Sequence, residues 1–246
     1  MGYLHLALRY KTPMEAEADE EAMRMETRKA FYKHFREAEE DVLTMGNMVA
    51  KAIERAIEAL KKRDLALAHQ IIADDDQVDK QRYSIEDKCI GLIATQQPLA
   101  SDLRIIVAIL NIIIELERIG DYADGIAKIV IMIGDEPPLK PLIDIPRMGE
   151  ITIEMINNSI HSFATRDVGL AMRVVSMDGI VDGLYDQVFR ELLTFMMVDP
   201  KATNRATRLI WVAHNLERAA DRATNICERV VFTVTGKIEE IGASKY

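Results

Sequence analysis

Cysteine, glycine, proline and basic charge are all in short supply in this 246-residue chain, and each shortage excludes something. Cys89 and Cys227 stand alone, with no CxxC pair or Cys/His cluster. A structural zinc site and a secreted disulfide framework are therefore excluded, and a reducing, cytoplasmic compartment is expected. The 40 acidic against 31 basic residues leave a net charge of -9, which repels phosphodiester backbones and anionic lipid heads in the absence of a strong basic patch. Nucleic acid is not an expected partner. Long hydrophobic runs are missing too: the longest, Leu103 to Ile114, is broken by Arg104 and Asn111 and falls short of the roughly 20 residues of a membrane span. No direct membrane insertion is expected. Nor is there a GxxxxGK[ST] loop, a G-x-S-x-G elbow or an HExxH motif, so nucleotide cradling, serine hydrolysis and zinc proteolysis lack support.

The seven prolines, at 13, 98, 137, 138, 141, 146 and 200, leave long stretches free of the strongest helix breaker. Within them apolar residues recur at three- and four-residue steps, as in Met45, Met48, Val49, Ala52, Ile53, Ala56, Ile57 and Leu60. No segment alternates with period two, so strands are not expected. The spacing predicts six long helices near 28–62, 64–95, 99–133, 146–165, 167–197 and 201–236. Asp64 and Asp167 are placed to cap the second and fifth, and Pro98 and Pro200 mark the starts of the third and sixth.

The two halves repeat each other. Leu116–Val130 and Leu216–Val230, offset by 100, share seven of fifteen residues. Further upstream the offset is 103, pairing Met45-Gly46 with Met148-Gly149, Arg63-Asp64 with Arg166-Asp167, and Asp75 and Asp79 with Asp178 and Asp182. The expected fold is all-α: two tandem three-helix bundles related by internal duplication. Residues 25–133 form the first bundle, 134–145 the linker, 146–236 the second bundle and 237–246 a C-terminal tail. Residues 1–24 have no counterpart in the second half and are expected to form a mobile extension. They lack a basic leader and a signal-length apolar core, which argues against a secretion signal.

On a helical wheel Glu117, Asp121 and Asp124 share one stripe, and Glu217, Asp221, Asn225 and Glu228 another, joined by His214. The core stripe lies opposite, so the carboxylates are expected to point out of their own bundle. Ile106, Leu110, Ile113 and Ile114 precede them on the same side, which suggests cover by a partner or by the other half. The bland reading is salt bridging, Arg118 to Asp121 and Arg218 to Asp221, worth a few tenths of a kcal/mol. Survival of the same Glu-Arg-x-x-Asp in both copies favours a shared task. Clustered carboxylates repel one another unless a cation compensates, and hard cations prefer oxygen-rich sites. Iron, manganese and magnesium are admissible, zinc less so. Trp211 reads as a packing residue.

The text Gln97-Pro98-Leu99-Ala100-Ser101-Asp102-Leu103-Arg104, then Glu115-Leu116-Glu117-Arg118-Ile119-Gly120-Asp121, then Asn215-Leu216-Glu217-Arg218-Ala219-Ala220-Asp221-Arg222-Ala223-Thr224-Asn225-Ile226, resembles the PhoU family. The resemblance implies a cytoplasmic, non-enzymatic regulator of phosphate homeostasis. Such a regulator restrains high-affinity phosphate uptake and phosphate-starvation signalling through contacts with the phosphate ABC transporter and a sensor histidine kinase. It also implies a homodimer, and a divalent or trivalent metal, iron by preference, on Glu117, Asp121, Glu217, Asp221 and Asn225. The first copy departs from the pattern: Gly125 and Lys128 stand where the second has Asn225 and Glu228, and Asp124 is its remaining candidate. Two alternatives stay open. One is a carboxylate-bridged iron store or di-iron oxidase, although the E-x-x-H motif of such bundles is absent before every histidine. The other is a metal-free helical scaffold.

Overall fold

A computed structural model describes residues 13–96 and 98–237. Six α-helices carry the chain: α1 (Pro13–Lys62), α2 (Leu65–Gln96), α3 (Ala100–Ile133), α4 (Asp144–Thr165), α5 (Val168–Val198) and α6 (Thr203–Thr235), with a 3₁₀ turn at Pro200–Ala202 before α6. No strand occurs among the described residues. Helices α1, α2 and α3 pack mutually as one bundle, α4, α5 and α6 as the other, and α3·α6 and α1·α4 join the two. The two tandem bundles expected from the repeat are the fold.

The largest departure is the start of α1, at Pro13 rather than near residue 28. Proline is tolerated in a first helical turn, where its missing N–H has no partner to lose, and the acidic run from Glu15 suits the positive end of the helix dipole. Residues 13–24, expected to lie outside the fold as a mobile extension, therefore continue α1; residues 1–12 and 238–246 fall outside the described part. Pro146 is likewise accommodated in the first turn of α4, which begins at Asp144.

The corner between first and second helices is built twice in the same way. Arg63 and Arg166 both take left-handed backbone, φ 55° and 56°. The next residue then caps the following helix: Asp64 Oδ1 accepts from the Leu67 backbone N–H and Asp167 Oδ1 from that of Leu170, each at 2.9 Å.

The joint between the bundles obeys the same duplication. A Cβ added at Gly46 would meet Ile160 Cγ1 at 2.8 Å, and one added at Gly149 would meet Ile57 Cγ1 at 2.8 Å. Gly46 and Gly149 are repeat partners at offset 103, and so are Ile57 and Ile160. On α3 and α6 the pairs are Glu115 with Asn225 and Gly125 with Asn215, again reciprocal, now at offset 100. Contacts of the form i to j and j′ to i′ define a pseudo-twofold axis between the bundles, with α1 antiparallel to α4 and α3 antiparallel to α6. Met45 and Met148, the neighbours of the two glycines, are fully buried beside this joint.

Candidate functional site

Each bundle carries one acidic groove, lined by its second and third helices. In the first, Asp75 and Asp79 of α2 face Glu117, Asp121 and Asp124 of α3 closely enough for the charges to repel. In the second, Asp178 and Asp182 of α5 face Glu217 and Asp221 of α6. Close approach of α2 to α3 is permitted by Gly120, where a Cβ would lie 3.1 Å from Asp75 Oδ1.

Burial, then mutual repulsion, raises several of these acids above the ordinary carboxylate range. Asp75 and Asp178 are pushed up to about 6 and Glu217 to about 7, in each case first by desolvation and then by the neighbouring carboxylates. Glu117, Asp121 and Asp182 move in the same direction for the same reasons. Three buried oxygens, Asp124 Oδ1, Asp178 Oδ1 and Glu217 Oε2, have no hydrogen-bond partner. Such groups are destabilising unless something satisfies them.

Internal cations compensate only part of the charge. Lys128 pairs with buried Asp124 through its ammonium, and Arg218 donates from Nη1 to Asp221 Oδ2 at 2.7 Å. The bland pairing expected of Arg218 with Asp221 is thus formed, whereas Arg118 turns to Glu115 at 3.6 Å. His214 Nδ1 lies 3.4 Å from Glu217 Oε2, and the ring approaches Tyr185 with centroids 6.1 Å apart. The buried thiols of Cys89 and Cys227 are pushed up to about 12 by burial and belong to the core.

The structure thus gathers Glu117, Asp121 and Asp124 in one groove and Glu217 with Asp221 in the other, but it sends two candidates elsewhere. Asn225 donates from Nδ2 to Glu115 Oε2 across the bundle joint at 3.1 Å, beside Arg222, which donates to the same oxygen at 3.2 Å. Glu228 lies against Arg229 at 3.5 Å. The carboxylates, expected to point out of their bundle, divide: Asp121 is exposed, whereas Asp124 is buried. They turn toward the second helix of their own bundle, because α3 is covered on three sides, by α1, α2 and α6, and the face opposite its core stripe is a groove flank. Ile106 and Ile113 are indeed covered, while Ile114 stays 37% exposed. Asp75, Asp79, Asp178 and Asp182 were missed as site residues, although their register-matched recurrence was the signal that could have found them.

Away from the acids the same faces turn apolar. Ile90 and Ile93 of α2 and Leu103 and Val107 of α3 are exposed in the first bundle, and Phe189 and Leu193 of α5 with Trp211 of α6 in the second. Trp211, read from sequence as packing, is half-exposed on this face. No helix of the described residues is long and apolar enough to cross a membrane.

The donor chemistry fits a hard cation: carboxylate oxygens, several unsatisfied, in two partly desolvated grooves. Among the described residues, no three His, Cys, Asp or Glu side chains already stand together as a ligand set.

A profile of the PhoU domain matches residues 42–130 and again 145–230. A phosphate-specific transport system accessory protein PhoU homolog from Aquifex aeolicus is 43% identical over 207 residues, covering 84% of this chain and 94% of the relative. The crystal structure of PhoU from Pseudomonas aeruginosa superposes with a TM-score of 0.81 at 35% identity, over 84% of this chain and all of that one. The phosphate transport system regulatory protein PhoU from Streptococcus pneumoniae gives 0.80 at 29% identity, over 86% of this chain and all of its own. Matched in both halves by the domain profile and along most of its length by these relatives, the chain belongs to the PhoU family.

Proposed function

We propose that this protein is a non-enzymatic, cytoplasmic accessory regulator of phosphate transport that holds high-affinity uptake and phosphate-starvation signalling in check. The observation that carries the reading is the pair of register-matched acidic grooves, each continuous with an exposed apolar face. Such a surface has an apolar part to bury against another protein and charges to set register and exclude wrong partners. Membership of a family whose relatives are named for the phosphate transport system supports the phosphate ABC transporter as one partner. A sensor histidine kinase is the second partner in this reading, and the working unit is a homodimer.

In the same reading each groove takes a divalent or trivalent cation, iron, manganese, magnesium or zinc, with iron favoured by the family resemblance. Glu117, Asp121 and Asp124 with Asp75 and Asp79 would hold it in the first bundle, and Glu217 and Asp221 with Asp178 and Asp182 in the second. The cation would supply the positive charge that the helices lack and fix the spacing of the two groove walls; no reaction is assigned to it.

Glu217→Ala with Asp221→Ala is expected to leave the helical circular-dichroism spectrum intact and to raise a phosphate-starvation reporter several-fold in phosphate-replete cells. Reporter output equal to wild type, at equal protein level, would overturn the regulatory role of the groove.

A further inference from the structure

We propose that the cleft beneath the linker between the bundles is a binding site for a small amphiphilic anion, an apolar body with a single carboxylate head. The linker, residues 134–143, passes over a cavity of about 260 Å³. Leu60, Ile133 and Leu209 line it from α1, α3 and α6, and Pro137, Pro138 and Leu142 from the linker. Both bundles and the strap between them thus contribute apolar wall to one concave site. Prolines stiffen the strap, since each fixes its own φ and removes a backbone donor. An apolar cavity with a few convergent polar groups is the usual form of a small-molecule site.

Arg63, Arg205 and Glu136 are among the polar residues that line the cavity, and Arg208 holds the Glu136 side chain from just outside the lining. Arg208 donates from Nη1 to Glu136 Oε1 at 3.1 Å, Arg205 Nε lies 3.9 Å from Glu136 Oε2, and Arg205 also donates from Nη1 to the Pro137 carbonyl at 3.1 Å. Arg63 reaches the Glu136 carbonyl from the end of α1 at 3.5 Å. Two guanidinium groups therefore stand against one carboxylate while a third, that of Arg63, holds the backbone carbonyl of the same residue, a local excess of positive charge in a chain whose net charge is -9. Glu136 shows which chemistry this rim accepts: a carboxylate hydrogen-bonded by Arg208 through one oxygen, with Arg205 beside the other. Its own side chain is half-exposed, so it is a displaceable occupant.

A ligand with a carboxylate head would take the place of the Glu136 side chain on Arg205 and Arg208 and lay its apolar body along Leu60, Leu142 and Leu209. Inorganic phosphate lacks the apolar body, and a neutral alcohol lacks the head. Because the site touches both bundles and the linker, its occupancy stabilises their assembly and registers as a higher melting temperature.

The test is isothermal titration of the full-length protein with decanoate, decanol and inorganic phosphate, with melting curves alongside. Decanoate is expected to bind saturably at one site and raise the melting temperature, with decanol and phosphate at least tenfold weaker. Arg205→Gln with Arg208→Gln should weaken decanoate at least tenfold. Glu136→Gln, which removes the resident competitor, should tighten it several-fold. That strengthening is the result a merely structural role for Glu136 would not give. Should the double variant fail to fold, Leu142→Gln on the linker gives the same reading, a loss of at least tenfold. Absence of saturable decanoate binding, equal binding of decanol, or unchanged affinity in Glu136→Gln overturns the proposal.

Discussion

Gly149→Leu is expected to lower the melting temperature by about 6–12 °C, the equivalent of about 3 kcal/mol in a chain of this size. The added side chain has nowhere to go: its Cβ alone would lie 2.8 Å from Ile57 Cγ1. Ile57 is buried on a helix, where a β-branched side chain has essentially one rotamer, so it cannot swing aside. The strain falls on the joint between α1 and α4, and the pseudo-twofold axis requires a matching effect from Gly46→Leu against Ile160. Truncating the opposing residue should relieve part of it, so Gly149→Leu and Ile57→Ala are expected to be non-additive by more than 0.5 kcal/mol. A glycine in open space behaves oppositely. Gly91 on α2 has nothing within 4 Å of a built Cβ, so Gly91→Ala should gain about 0.5–1 kcal/mol of helix propensity, about 1–4 °C. Melting curves of these variants decide the matter. A Gly149→Leu protein that melts within 2 °C of wild type, on the order of 1 kcal/mol or less, would show that the joint is not close-packed.

The second expectation concerns pH. Glu217 titrates near 7 in the folded chain against about 4.3 in an unfolded one, so the native state holds an extra proton between these values. Stability therefore falls as pH rises through that window, is fully present below about 4, and levels off above about 7. Asp75 and Asp178, raised to about 6, add to the same slope. Glu217→Gln, a mimic of the protonated acid, removes the largest single contribution. It should raise the melting temperature of the metal-free protein by about 4–8 °C at pH 8, corresponding to about 2 kcal/mol, and leave it nearly unchanged at pH 4. Thermal melts of wild type and variant across pH 4–8 measure this directly. A parallel pair of curves would mean that Glu217 ionises freely.

The same residues show why the sequence revealed the fold more readily than the site. Helical periodicity and proline spacing locate five of six helices to within a few residues, because both are properties of a single segment. The start of α1 escapes that reading, since Pro13 and the run from Glu15 look like a linker although both suit a helix N-terminus. Gly46 and Gly149 were visible as repeat partners, but nothing local says that they receive Ile160 and Ile57; that depends on which helices meet, and at what register. The carboxylates suffered the same ambiguity. A wheel separates the core stripe of α3 from its opposite face, yet it cannot say that α2 borders that face and brings Asp75 and Asp79 to it. Asn225 illustrates the converse: it shares a stripe with Glu217 and Asp221, and one further turn of helix is enough to turn it to Glu115 on the other bundle.

Elemental analysis of protein purified without chelators tests the cation reading of the grooves most directly. Wild type should retain metal; Glu117→Gln with Asp121→Asn should lose the share of the first bundle, and Glu217→Gln with Asp221→Asn that of the second, each keeping the other. Metal absent from every preparation, or present at the same level in all three, would contradict it and leave the grooves as metal-free contact surfaces.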